Sequence, residues 1–176
     1  YGYNAVIFYE CRISSLINDT ENGMRAISFF NNSYVVIKSC FITKAQHIIL
    51  VRNCEMLLIH KIVLYKSAVP RQPKYYEIFI LNMIENVELT ESVFRLISGS
   101  PLIINGCPYV TIQNNVFDSC KGIMYSPIYV SLREHHRFIL FAVKDTKFKR
   151  CSCCSFHSFP GAVSLSLHIT LQYYMY

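Results

Sequence analysis

The skeleton apolar-x-apolar-x-x-x-x-apolar occurs six times along the chain, at Val6/Phe8/Ile13, Val35/Ile37/Ile42, Leu57/Ile59/Leu64, Val87/Leu89/Phe94, Val110/Ile112/Phe117 and Phe141/Val143/Phe148. Apolar residues two apart are the period of a half-buried strand. Eight residues upstream, four of these units carry another such pair: Ile27/Phe29, Ile49/Val51, Phe79/Leu81 and Leu102/Ile104. Each unit is therefore predicted to hold three short strands.

The last position of the skeleton falls at 13, 42, 64, 94, 117 and 148, in steps of 29, 22, 30, 23 and 31 residues. Constant strands thus alternate with connections of variable length. One such unit cannot bury its own apolar face and must stack on its neighbours. Val, Ile, Phe and Tyr dominate the apolar positions, which disfavours helical repeats, and the regular Leu spacing and fixed Asn of leucine-rich repeats are absent. The pattern predicts an all-β fold, a right-handed parallel β-helix of about six to seven coils with three short strands per coil. Residues 1–176 form a single domain in this scheme. Ile13, Ile42, Leu64, Phe94, Phe117 and Phe148 become one interior column with a repeat of about 4.8 Å. Lys38, His60, Thr90, Gln113 and Lys144 face outward.

Composition agrees with strands. The 176 residues are 52% hydrophobic and 16% charged, with 13 Tyr, 12 Phe and no Trp. That is ample for a core and argues against disorder. The formal charge of +6 comes from scattered basic residues without a basic helix, so no nucleic-acid partner is expected. The opening YGYNAV has neither an initiator Met nor an apolar signal segment, as expected of a processed chain or a fragment of a longer solenoid. From Ser152 to Tyr176 the chain is uncharged, yet Val163, Leu165, Leu167, Ile169 and Leu171 alternate with polar residues. This segment is predicted to be a strand and not a transmembrane helix.

With the repeat established, the chain resembles the β-helix families of the pectate-lyase superfold. FDSC at 117–120, FKRC at 148–151 and FPGAVSL at 159–165 resemble the F-x-x-N and G-G-A-I motifs of polymorphic outer-membrane proteins and of similar surface families of parasitic protists, with Cys in place of Asn and Pro160-Gly161 in place of two glycines. The resemblance implies an extracellular or cell-surface module, a structural or adhesive scaffold for glycans, host proteins or neighbouring surface proteins. It also raises two alternatives, a polysaccharide-active enzyme and a degenerate repeat fragment with no function of its own.

Carboxylates decide against the enzyme at this stage, because lyases and hydrolases on this superfold gather acidic residues from neighbouring coils. Asp118 aligns with Arg95 and Lys149, and Glu85, Glu88 and Glu91 are read as solvated. No catalytic residue, cofactor or metal ligand is assigned. The eight cysteines fall partly into columns, Cys11 with Cys40 and Cys120 with Cys151, which suits reduced, buried small side chains. CSCC at 151–154 with His157 lacks the second ligand pair of a structural zinc site.

Contacts are expected on the insertions. PRQPKYYE at 70–77 offers Arg71, Lys74, Tyr75 and Tyr76, and REHHR at 133–137, which breaks the eight-residue spacing, offers Arg133, His135, His136 and Arg137. Sequons at Asn18 and Asn31 are possible glycosylation sites. Asn31, Asn53, Asn105 and Asn114 are expected to serve turns, since Asn tolerates left-handed backbone.

Overall fold

The structure, a computed structural model, describes residues 4–14, 27–43, 49–66, 77–122, 127–132, 140–153 and 163–167. Among them are strands and no helix. In chain order the strands are β1 (Ala5–Tyr9), β2 (Arg12–Ser14), β3 (Ile27–Phe30), β4 (Tyr34–Lys38), β5 (Phe41–Thr43), β6 (Ile49–His60), β7 (Val63–Tyr65), β8 (Glu77–Thr90) and β9 (Val93–Arg95). There follow β10 (Ser100–Asn105), β11 (Tyr109–Gln113), β12 (Val116–Asp118), β13 (Lys121–Gly122), β14 (Ile128–Leu132), β15 (Leu140–Lys144), β16 (Lys147–Lys149), β17 (Ser152–Cys153) and β18 (Val163–Leu167).

All strand pairings are parallel, and they join equivalent positions of successive units. Val6, Val35, Leu57, Val87, Val110 and Phe141 are register partners in turn. So are Ile13, Ile42, Leu64, Phe94, Phe117 and Phe148 across β2, β5, β7, β9, β12 and β16. The upstream pairs align from Ile27 and Ile49 through Phe79 and Leu102. Ile128 and Val163 extend this row, so the unequal spacing before β15 is absorbed without a slip. Residues 133–139, where that extra length lies, are outside the described set.

The register follows from burial. A one-residue slip would turn every apolar side chain outward. In β4 and β11 alternate residues are buried, and Val35, Leu57, Val110 and Ile112 have essentially no exposed surface. Phe94 and Phe117 stack at 4.6 Å and Phe117 and Phe148 at 5.1 Å, so one aromatic column continues through three units. Removing any of these rings from water contributes about 1.5–3 kcal/mol.

The chain turns between strands at left-handed residues, which form three columns. Glu10, Ser39, Lys61, Glu91, Asn114 and Asp145 make the first, Asn31, Asn53 and Met83 the second, and Lys66, Leu96, Ser119 and Arg150 the third, all with φ between 47° and 56°. Left-handed backbone costs about 1–2 kcal/mol for a residue with a Cβ. Hydrogen bonds between units offset it: the amides of Glu10, Ser39, Lys61, Glu91 and Asn114 donate to the carbonyls of Lys38, His60, Thr90, Gln113 and Lys144. Asn31, Asn53 and Asn114 are corner residues, as expected. Asn105 is not, because it ends β10 and Gly106, with φ 62°, takes the corner.

Directly after most corners the side chain faces inward, either apolar, as Ile62, Ile84 and Ile97, or polar and bonded to carbonyls at the turn. Ser92, Asn115 and Thr146 make these bonds with hydroxyl or amide: the Ser92 hydroxyl donates to Thr90 at 2.9 Å, and Asn115 Nδ2 donates to Leu89 and Gln113, both at 2.9 Å. The Ser92 amide donates to Asn115 Oδ1 at 2.9 Å. Cys11, Cys40, Cys54, Cys107, Cys120 and Cys151 occupy the same post-corner position and are thiols that donate to the carbonyl two residues back, for example Cys40 to Lys38 at 3.3 Å and Cys151 to Lys149 at 3.4 Å. Cysteine here is thus a corner donor as well as a small apolar filler.

Asp118 has Arg95 and Lys149 as its register partners, as the spacing predicts. Its main partner is nevertheless Arg150, whose Nη2 lies 2.7 Å and 2.9 Å from the two carboxylate oxygens. Arg95 Nε is 3.3 Å away, and Ser119 donates at 3.0 Å. The Arg150 hydrogen bonds hold the Asp118 carboxyl below its ordinary pKa. Among the described residues no helix is long and apolar enough to cross a membrane, and β18 covers the first part of the strand expected over 163–171, whose remainder lies outside the described residues.

Candidate functional groove

The second corner column opens on a groove of about 510 Å³. Four successive units each lend it a short stretch: Asn31, Asn32 and Ser33 between β3 and β4, Asn53, Cys54 and Glu55 midway along β6, Met83, Ile84 and Glu85 midway along β8, and Gly106 and Pro108 between β10 and β11. In β6 and β8 the strand bends through the left-handed Asn53 and Met83 without ending. The two arms diverge there, and short side chains at most of the lining positions leave the concavity unfilled.

Glu55 and Glu85 occupy equivalent positions, each one residue beyond the register pair Cys54 and Ile84. Their carboxylates therefore belong to adjacent units, whose backbones lie about 4.8 Å apart. Asn53 Nδ2 donates to Asn31 Oδ1 at 3.2 Å, which aligns the corner amides along the stack. The lining thus offers a ligand two carboxylates, amides, a hydroxyl and the apolar side chains of Met83 and Pro108, over a floor formed by the buried Cys54 and Ile84. With no cationic side chain among the lining residues, it favours polyhydroxyl or cationic ligands over phosphate or sulfate, although the whole chain is basic. Carboxylates accept hydrogen bonds from hydroxyls, amides both donate and accept, and the apolar residues pack against C–H faces.

The three glutamates grouped by sequence have separate environments. Glu85 lines the groove, Glu88 stands exposed on the outer face of β8, and Glu91 is a corner residue 3.4 Å from Lys61 Nζ. All three are exposed, in line with the solvated reading, but that reading did not single out Glu85 as the equivalent of Glu55 in the adjacent unit. A signal was available: the post-corner triplets NNS, NCE, MIE and GCP each begin two residues after an upstream apolar pair.

Of the candidate site residues, the sequon residue Asn31 lines the groove and is exposed. Asn18, Arg71, Lys74, Tyr75, Tyr76, Arg133, His135, His136 and Arg137 lie outside the described residues, as do Cys154 and His157. No protein-family model, curated protein or solved structure matches the chain.

Proposed function

We propose that the chain is a right-handed parallel β-helix of about six to seven coils, three short strands per coil, that serves as a non-catalytic, surface or secreted binding scaffold for glycans. The resemblance to surface β-helix families belongs to this proposal, as do the contacts at Arg71, Lys74, Tyr75, Tyr76, Arg133, His135, His136 and Arg137. The observation that carries it is the groove, where carboxylate and amide side chains recur from unit to unit on strands held in register. The run of polar side chains along the stack, amides in the first two units and carboxylates in the second and third, suits an extended ligand. Its volume lies within the range of small-ligand sites.

The test is binding to a panel of immobilised neutral, amino-sugar and sulfated oligosaccharides, repeated with the Glu55→Gln/Glu85→Gln double variant. Neutral or amino-sugar chains are expected to bind, with at least about a tenfold loss in the variant, since charge-assisted hydrogen bonds are worth about 1.5–3 kcal/mol each. Equal binding by parent and variant would remove the groove from consideration.

The paired carboxylates also favour a second reading, a polysaccharide-active enzyme, because glycoside hydrolysis uses two facing carboxyl groups. New reducing ends that appear with the parent and disappear with either single Glu→Gln variant would establish that reading over the scaffold.

A further inference from the structure

Six cysteines share one structural position, yet they do not share the same neighbours. Cys11 and Cys40 lie in adjacent units, each one residue before the partners Arg12 and Phe41. Cys120 and Cys151 likewise each precede the partners Lys121 and Ser152. By contrast Cys54 has Ile84 as its register partner, and Cys107 lies one unit further on. Adjacent parallel strands are about 4.8 Å apart, within the Cα separation of about 4.4–6.8 Å that a disulfide spans, whereas two steps exceed it.

We propose that Cys11 with Cys40, and Cys120 with Cys151, are disulfide-forming pairs that join the first two and the last two of the six repeated units in an oxidising medium.

Their placement gives the staples a purpose. Interior positions at the two ends of the described stack, Val6, Phe8 and Ile13 in one unit and Phe141, Phe148 and Cys151 in the other, are only partly buried, whereas their counterparts between are fully buried. The pairs would join these partly buried units to the fully buried units beside them. The middle of the first post-corner column holds Ile62, Ser92 and Asn115 instead. Two of the sulfurs reach into the unit that carries the partner, Cys40 Sγ to the Phe8 carbonyl at 3.7 Å and Cys151 Sγ to the Phe117 carbonyl at 3.4 Å, while Cys120 Sγ reaches the Phe94 carbonyl at 3.5 Å on its other side. The thiols of Cys120 and Cys151 are also within hydrogen-bonding reach of each other, which lowers the Cys151 pKa to about 7 and raises that of Cys120.

The oxidant is a low-molecular-weight disulfide such as oxidised glutathione. The Cys151 thiolate attacks one of its sulfurs and expels a thiolate, leaving a mixed disulfide; Cys120 then gives up its proton, attacks Cys151 sulfur and expels the second thiolate. One protein disulfide forms, and the oxidant is reduced to two thiols. Burial pushes the Cys107 thiol up to about 12 and raises Cys54 and Cys40 as well, so it is the absence of a cysteine in the adjacent unit that sets Cys54 and Cys107 apart.

The full chain would be equilibrated with oxidised and reduced glutathione, quenched in acid, alkylated and mapped by mass spectrometry without reduction. Linkages 11–40 and 120–151 are expected, with Cys54 and Cys107 alkylated only after unfolding. Reductant should lower the melting temperature by about 5–10 °C. Cys120→Ser, which keeps a hydroxyl donor at the corner, should abolish the second linkage and leave the first. Four free thiols in the folded, oxidised chain would overturn the proposal, as would Cys151 linked to Cys153 or Cys154. None of these four cysteines lines the groove, so either result leaves glycan binding to be judged separately.

Discussion

At the first corner, through Ser39, Lys61, Glu91 and Asn114, the strand leaves one sheet for another; at the second, through Asn31, Asn53, Met83 and Gly106, β6 and β8 bend and remain in the same sheet. The backbone is left-handed in both, and in both the corner amide is held by the next unit, as Lys61 is by Thr90 and Asn31 by Arg52. The difference lies in the side chains. Inside the first corner Ser92, Asn115 and Thr146 form a connected polar ladder; inside the second, Cys54, Ile84 and Cys107 pack with little polarity. Outside, the first corner carries Lys61 and Glu91, paired at 3.4 Å across units, whereas the second carries mostly short residues and opens the groove. Because neighbouring backbone fixes the turn, the outward residue at a corner is released from folding and is available to a ligand.

The largest expected effect comes from charge beneath the first corner. Ile112 is fully buried two residues before Asn114, and Ile112→Asp would place an unpaired carboxylate in the interior. A loss of several kcal/mol is expected, enough to remove cooperative melting by circular dichroism. A variant that melts as the parent does would refute the inward face.

Next comes the ladder itself. Asn115→Leu leaves the Ser92 amide and the carbonyls of Leu89 and Gln113 without their side-chain partner, which should cost about 2–4 kcal/mol. Cys107→Ser, at the other corner, keeps a donor to Asn105 and should cost under about 1 kcal/mol. Urea midpoints of the two variants measure the contrast, and equal losses would erase the distinction between the corners.

These two sites also mark what could be read in the chain. The skeleton and the four upstream pairs located strands that pair in parallel and their register, though not the short pair β13 and β17, because burial on one face imposes a strict spacing of two and every unit meets the same neighbours. Val6 to Phe141 pair without one slip, despite steps that vary from 22 to 31 residues. The groove was hidden because corner residues obey no composition rule: Lys61, Met83 and Leu96 adopt the conformation that Asn53 adopts. Arg150 was missed as the partner of Asp118 for a related reason. Register points to Lys149, but the turn at Arg150 swings the following side chain back over the carboxylate.

That third corner sharpens the comparison, since charge holds it from outside. Asp118 has a lowered pKa, so its ion pairs contribute stability above its unfolded value near pH 3.9, and that contribution is lost as pH falls through the lower folded value. Asp118→Asn should therefore be less stable than the parent at neutral pH and converge with it under strong acid, as followed by urea unfolding between about pH 2 and pH 7. A constant gap across that range would mean that packing, and not charge, is what the carboxylate supplies.

The smallest effect separates backbone from side chain at the groove. Met83 is left-handed and 37% exposed, so its side chain contributes little packing while its Cβ is strained. Met83→Gly relieves about 1–2 kcal/mol of that strain and adds about 0.5–1 kcal/mol of unfolded-state entropy. A net gain near 0.5 kcal/mol is expected, visible as a small rise in the urea midpoint. Ligand binding should weaken in the same variant, because an apolar contact leaves the groove. Stability and binding would then move in opposite directions at one residue, as they must if the neighbouring unit fixes the turn and leaves the side chain to the ligand. A destabilised Met83→Gly would instead show that Met83 packs the corner.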